Sequence, residues 1–201
     1  MEARELGIAG AWEFTPRQWT DPRGVFLEWF KAEVFEKATG RSLVVAQANQ
    51  SVSAKGTLRG VHFADVPPSQ AKYVYCPWGA VLDVIVDIRV GSPTFGTHDS
   101  VRLDAIDRRA VFVPEGFGHA FIALSDDATV TYLVSEPFAP NREHGIDPMD
   151  PALALPWPTD IAPLLSDKDS AAPSLAEAEA SGLLPRYEDC VELYALQRAS
   201  R

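Results

Sequence analysis

Along most of the first 135 positions apolar and polar residues alternate with a period of two, the spacing of strands whose side chains point in turn to opposite faces. The clearest case is 80–89, with Leu82, Val84, Val86 and Ile88 on one face and Val81, Asp83, Ile85 and Asp87 on the other. Aspartates on an apolar face need partners if they are buried. Residues 71–76 place Lys72 beside Val74 and Cys76, an odd companion for small apolar side chains. In 43–53, Gln47, Asn49, Ser51 and Ser53 share one face, and Val44, Ala46, Ala48 and Val52 the other. Such a row of amides and hydroxyls either faces water or lines a polar cavity. Further short strands are predicted at 101–103, 110–113, 119–124 and 129–134.

The amino-terminal 30 residues read as a strand-bearing arm. One strand ends at Pro16, a turn-rich connection includes Asp21-Pro22-Arg23-Gly24, and a second strand covers 25–30. Many short strands without intervening helices predict an all-β antiparallel sandwich or barrel and disfavour a parallel α/β sheet. Helices are short and peripheral. One covers Glu33–Thr39 and stops at Gly40; one opens at the capping box Ser174-Leu175-Ala176-Glu177 and ends near Gly182; one spans roughly Glu188–Gln197. Between them, prolines at 137, 140, 148, 151, 156, 158 and 163 prevent a long regular element. That stretch is either a proline-stiffened wrap over the barrel or a linker without fixed structure.

A chain of 201 residues fits a single domain with a sizeable core. No apolar run approaches the ~18 residues of a spanning helix, and Met1-Glu2-Ala3-Arg4-Glu5-Leu6 lacks the pattern of a signal peptide. Cys76 and Cys190 are too few for a disulfide framework, which points to the cytoplasm. A net charge of −10 argues against a nucleic-acid partner but leaves room for a small anion held by local cations.

The stretch Arg59–Lys72 sets His62 between two cations. Gly60 permits close backbone approach, and Pro67-Pro68 force a loop before the next strand, so it reads as an active-site wall. A surface arginine, a core histidine and a snorkelling lysine fit these residues equally well. The four histidines, His62, His98, His119 and His144, lack the close spacing of a metal site. No nucleophile elbow, phosphate loop or dinucleotide fingerprint occurs. What remains is cofactor-free proton transfer: His62 as base, Lys72 as stabiliser of an oxyanion, and Tyr132 as the hydroxyl that returns a proton.

Several motifs in order resemble one family. Arg59-Gly60-Val61-His62-Phe63, Gln70-Ala71-Lys72, Asp83 with Asp87-Ile88-Arg89, Gly91-Ser92-Pro93-Thr94-Phe95-Gly96 and Pro114-Glu115-Gly116-Phe117-Gly118-His119-Ala120-Phe121 look like the dTDP-4-dehydrorhamnose 3,5-epimerases. Asp21-x-Arg23-Gly24-x-Phe26-x-Glu28, Gln47-x-Asn49-x-Ser51, Arg142-Glu143-His144 and Ser166-Asp167-Lys168-Asp169 extend the likeness to nearly the whole chain. The resemblance implies a cupin-like jelly roll without metal or cofactor, forming a homodimer in which the arm of residues 1–30 crosses to the partner. It implies His62 as base with Asp169 as its orienting carboxylate, Tyr132 as proton donor from the opposite side, and Lys72 near the C4 oxygen. It also implies dTDP-4-keto-6-deoxy sugar contacts at Arg23, Glu28, Gln47, Asn49, Arg59, His119, Glu143 and Lys168, with Phe26 and Phe138 flanking thymine. Position 138 is phenylalanine where close members carry tyrosine, so stacking survives and a hydroxyl contact does not. The expected reaction is epimerisation at C3 and C5. Epimerisation of a single carbon and an inactive sugar-nucleotide binding module are the alternatives.

Overall fold

The computed structural model describes residues 1–199. The chain enters through β1 (Glu2–Glu5) and β2 (Trp12–Thr15), forms a ribbon from β3 (Gln18–Asp21) and β4 (Gly24–Leu27), and turns through helix α1 (Ala32–Thr39). Eight strands follow: β5 (Gln47–Ser53), β6 (Leu58–Ala64), β7 (Lys72–Trp78), β8 (Ala80–Val86), β9 (His98–Asp104), β10 (Ala110–Val113), β11 (Gly118–Ala123) and β12 (Ala128–Val134). After the short β13 (Glu143–Gly145) come helices α2 (Asp167–Ser170), α3 (Leu175–Ala180) and α4 (Tyr187–Ala199). One sheet has the order β1-β2-β10-β7-β12-β5 and the other β13-β6-β11-β8-β9. The two sheets face each other as the antiparallel sandwich expected from the alternation, in the cupin-like jelly-roll form that the resemblance implies.

Alternation now has a physical meaning on each strand. Val74 and Cys76 of β7, Val81 and Ile85 of β8, Val111 and Val113 of β10 and Val130 of β12 point inward and fill the space between the sheets. Lys72 and Asp83 share those inward faces. Outside the six-stranded sheet, Tyr73 and Phe112 pack against Phe35 of α1, with the Phe35 and Phe112 rings 4.8 Å apart and edge-on. Outside the five-stranded sheet, Val84 and Val86 are covered by Leu153, Leu175, Ala178 and Leu184. Each such fully buried side chain contributes about 1.5–3 kcal/mol.

The proline-rich stretch is therefore the ordered wrap, not a linker. Trp157 Nε1 donates to the Pro148 carbonyl at 2.8 Å, and Asp150 Oδ2 accepts from the Leu175 amide at 2.8 Å. The capping box at Ser174 forms with Glu177, and Gly40 caps α1 in the left-handed region. Among the described residues no helix is long and apolar enough to cross a membrane.

Four local expectations are corrected. Residues 16–30 contain a two-stranded ribbon, β3 paired with β4 across the Asp21–Gly24 turn, not a connection followed by a strand to residue 30. Strand β7 continues through Pro77 to Trp78, because the register with β12 shifts there and the extra residue tolerates a missing N–H. Strand β8 stops at Val86, and Asp87 turns into a buried knot. It accepts from Arg89 Nε and Nη2 at 2.8 Å each, from Ser92 Oγ at 2.5 Å and from Thr94 Oγ1 at 2.6 Å. The Arg89 guanidinium stacks 3.8 Å over Phe117 and 5.0 Å from Tyr187 of α4, so this signature stretch anchors the last helix to the barrel.

The fourth correction concerns Arg59–Ala64, where no strand is predicted from the alternation and where β6 forms. His62 pairs with His119 and Arg59 with Phe121, so β6 advances three residues while β11 advances two. The additional residue is a bulge at Gly60-Val61. Gly60 sits at φ 125°, and a Cβ there would lie 2.5 Å from the Ala120 Cβ.

Candidate active site

That bulge builds the site. Residues three apart on a regular strand point to opposite faces, but the inserted residue brings Arg59 and His62 to the same one. Both line an inner chamber of about 200 Å3 between the sheets, together with Lys72, His119 and Tyr132. Both also line an outer mouth of about 420 Å3 that reaches Phe138, Glu143, Lys168 and Asp169. The two spaces therefore meet at Arg59 and His62.

His62 comes from β6 and Tyr132 from β12, strands of the two opposed sheets. His62 Nε2 lies 2.6 Å from Asp169 Oδ1. Asp169 stands on α2, whose Ser166 cap accepts from the Asp169 amide at 3.1 Å. Burial alone would raise the Asp169 carboxyl, but hydrogen bonds from His62, Ser166 and the Gly60 amide, with the imidazole charge, hold it below the usual carboxylate range. An ionised Asp169 fixes the proton on Nε2 and leaves Nδ1 as the free lone pair. Tyr132 is pushed up by burial, against a hydrogen bond from Asn49 and the nearby Arg59 charge, so the phenol carries its proton at neutral pH.

Lys72 is buried on β7, the strand next to β12 in the same sheet as Tyr132, and lines the chamber with His62 and Tyr132. Burial pushes its ammonium down, and the Glu143 and Glu115 carboxylates pull it back up. His119 Nε2 meets Asp83 Oδ2 at 2.9 Å, which supplies the partner the buried aspartate required; Asp83 Oδ1 is buried without one. Arg59 Nε donates to Ser53 Oγ at 3.3 Å, and Gln47 Nε2 to Asn49 Oδ1 at 2.5 Å. The polar face of β5 thus borders the cavity.

Gln47 and Asn49 line neither space, Asn49 standing beside Tyr132 in the ladder, and Arg23, Phe26 and Glu28 lie further off. These last three lie in or beside the β3–β4 ribbon, outside both spaces, with Phe26 67% exposed and Arg23 paired to Asp21 of the same turn. Sequence reasoning also missed His144, which lines the mouth and meets Asp65 Oδ1 at 2.7 Å. Its signal was its place in the Arg142-Glu143-His144 motif, beside Glu143. Among the described residues no group of three His, Cys, Asp or Glu side chains is arranged to hold a metal ion.

An oriented imidazole on one sheet and a protonated phenol on the other, with a desolvated lysine on the strand beside the phenol, form an acid–base site suited to moving protons at carbon beside a carbonyl. The molecule is an isomerase-type enzyme of the jelly-roll class. The model of the dTDP-4-dehydrorhamnose 3,5-epimerases matches residues 5–177, and the chain belongs to that family. It is 60% identical over 190 residues to the dTDP-4-dehydrorhamnose 3,5-epimerase of Mycolicibacterium smegmatis, covering 94% of each chain. The solved rmlC epimerase of Mycobacterium tuberculosis superimposes with a TM-score of 0.96 at 54% identity, over 98% of this chain and 100% of that one. ChmJ, a 3'-monoepimerase from Streptomyces bikiniensis solved with dTDP-quinovose, superimposes with a TM-score of 0.95 at 50% identity, over 97% and 98%.

Proposed function

We propose that the protein converts dTDP-4-dehydro-6-deoxy-D-glucose to dTDP-4-dehydro-L-rhamnose by inverting C3 and C5. The observation that carries this reading is the opposition of His62 and Tyr132, from two facing sheets, across one chamber. Hydrogens at C3 and C5 both flank the C4 ketone, so removing either one places negative charge on the same C4 oxygen. His62 Nδ1 takes the proton, and Asp169 stabilises the imidazolium. Lys72 faces the oxygen on which charge develops. Tyr132 returns a proton to the opposite face of the ring, and inversion results. Both residues recover their protonation states from solvent through the mouth. Arg59 and Lys168 suit the diphosphate, with Arg59 able to bind it in bidentate fashion. Phe138 offers an exposed ring at the mouth for thymine to stack on. His119 and Glu143 add to the polar lining, and Gln47 and Asn49 stand beside it on β5, next to Tyr132.

The reading takes the whole chain as one domain that works as a homodimer. Arg23, Phe26 and Glu28 stand on a ribbon that projects its aromatic pair, Trp19 and Phe26, away from the chain's own cavity. A ribbon whose family-matched contact residues Arg23 and Phe26 line a separate surface pocket, apart from the chamber of His62, suits donation to a second copy. Cys76 and Cys190 are unpaired and buried, which suits a reducing, cytoplasmic setting.

Incubation with the 4-keto substrate in deuterated buffer tests the proposal: two ring positions should gain deuterium, and the product should be inverted at both. Complete absence of ring exchange would refute it. The second reading, inversion of one carbon, is favoured by the likeness to ChmJ, and deuterium at a single position would select it.

A further inference from the structure

Tyr132 does not stand alone on its wall. In the ladder between β12 and β5 its direct partner is Asn49, and Val134 is paired with Gln47. The hydrogen bond from Gln47 Nε2 to Asn49 Oδ1 turns the Asn49 oxygen toward Gln47 and leaves its NH2 for the phenol. Asn49 stands directly across the ladder from Tyr132, so its NH2 is the donor available to the phenolic oxygen; a phenol that accepts there keeps its own hydrogen free, and Tyr132 opens onto the chamber shared with His62 and Lys72. We propose that Gln47 and Asn49 are positioning residues for the Tyr132 acid, an amide relay that aims the phenolic hydrogen into the chamber and steadies the phenolate left after transfer. This inference rests on the epimerase reading above, and gives the two amides a role beyond the nucleotide contacts implied by resemblance.

Direction is the core of the argument. Aligned amides polarise one another, so a donor at one end strengthens the donor at the other. Reversing the relay would have the Asn49 oxygen accept from Tyr132, and the hydrogen needed by the carbanion would be tied up. Gln47 decides which way round Asn49 sits. Donation from Asn49 also opposes the upward push of burial on the phenol. In proton terms, His62 gains the hydrogen lost from carbon, Tyr132 gives its own to the other face, and solvent restores both.

Gln47→Glu tests this with almost no change in size. The introduced carboxylate accepts and cannot donate, so it draws the Asn49 NH2 and presents the amide oxygen to Tyr132. Abstraction by His62 does not need the phenol, and the His62 side chain is 37% exposed at the mouth, open to solvent exchange. Reaction in deuterated buffer should therefore show inversion reduced by ~10²-fold, the size of a lost general acid, with ring exchange within ~3-fold of wild type. Gln47→Met, which removes the donor without reversing the relay, should fall between. Parallel loss of exchange and inversion with a raised KM would overturn the inference and return both amides to nucleotide binding. Unchanged inversion would overturn it too. Failure of wild-type protein to exchange any ring hydrogen would instead sink the epimerase reading itself.

Discussion

Replacing Asp169 by asparagine probes the base half of the site. The carboxylate lies 2.6 Å from His62 Nε2 and is kept ionised by three hydrogen-bond donors. Asparagine preserves its shape but removes the charge that stabilises the imidazolium, a charge-assisted bond worth about 1.5–3 kcal/mol, or ~10–200-fold in rate. It does more than that, because its NH2 can donate to Nε2, which drives the ring proton to Nδ1 and blocks the lone pair facing the substrate. A wrong tautomer in a histidine dyad costs ~10⁴-fold in kcat. Asp169→Asn should therefore lose ~10²–10⁴ in kcat, with KM within ~3-fold, measured by NMR of ring deuteration under saturating substrate. Activity within ~5-fold of wild type would refute the dyad. The substitution also changes acid stability. A carboxyl held below its ordinary value contributes stability that is present above the unfolded pKa of ~3.9 and is lost as pH falls through the lower folded value. In acid titrations below about pH 4, Asp169→Asn should therefore lose less stability than wild type does.

Other outcomes follow from the same geometry. Lys72→Met should reduce kcat by ~10²–10³ through loss of the oxyanion partner, yet leave thermal stability equal or higher, because it removes a buried cation; unchanged kcat would exclude the role. Gly60→Ala should destabilise the fold by about 2–4 kcal/mol in urea titration, since its Cβ would meet Ala120 at 2.5 Å and φ is 125°. Asp87→Asn, far from the chemistry, should cost about 3–5 kcal/mol by stranding the Arg89 charge, while kcat per folded molecule stays within ~2-fold of wild type.

Much of this was legible in the alternation of the chain. Lys72 among small apolar residues, the amides of 47–53 and the aspartate at 83 all mark inward faces, because a period of two assigns each side chain to one side of its strand. The face holding Leu82, Val84 and Val86 looks like an inner core in sequence, yet it is the outer surface buried by the wrap. Periodicity finds faces but does not say which layer covers them. Neither does it foresee the bulge at Gly60-Val61, since one extra residue reverses the parity on which such reasoning depends, and Arg59 and His62 would otherwise be placed on opposite sides. Asp169, more than a hundred residues beyond His62, was reached through resemblance alone. A four-residue helix in a proline-rich wrap carries no pattern that points to a particular imidazole.

The central claim is that His62 and Tyr132 act from opposite sides of the ring, and Tyr132→Phe in deuterated buffer tests it most directly. Ring hydrogens should still exchange, with the deuterium returned to the face it left, while His62→Ala should neither exchange nor invert. Inversion by Tyr132→Phe at close to the wild-type rate would show that the second proton comes from elsewhere.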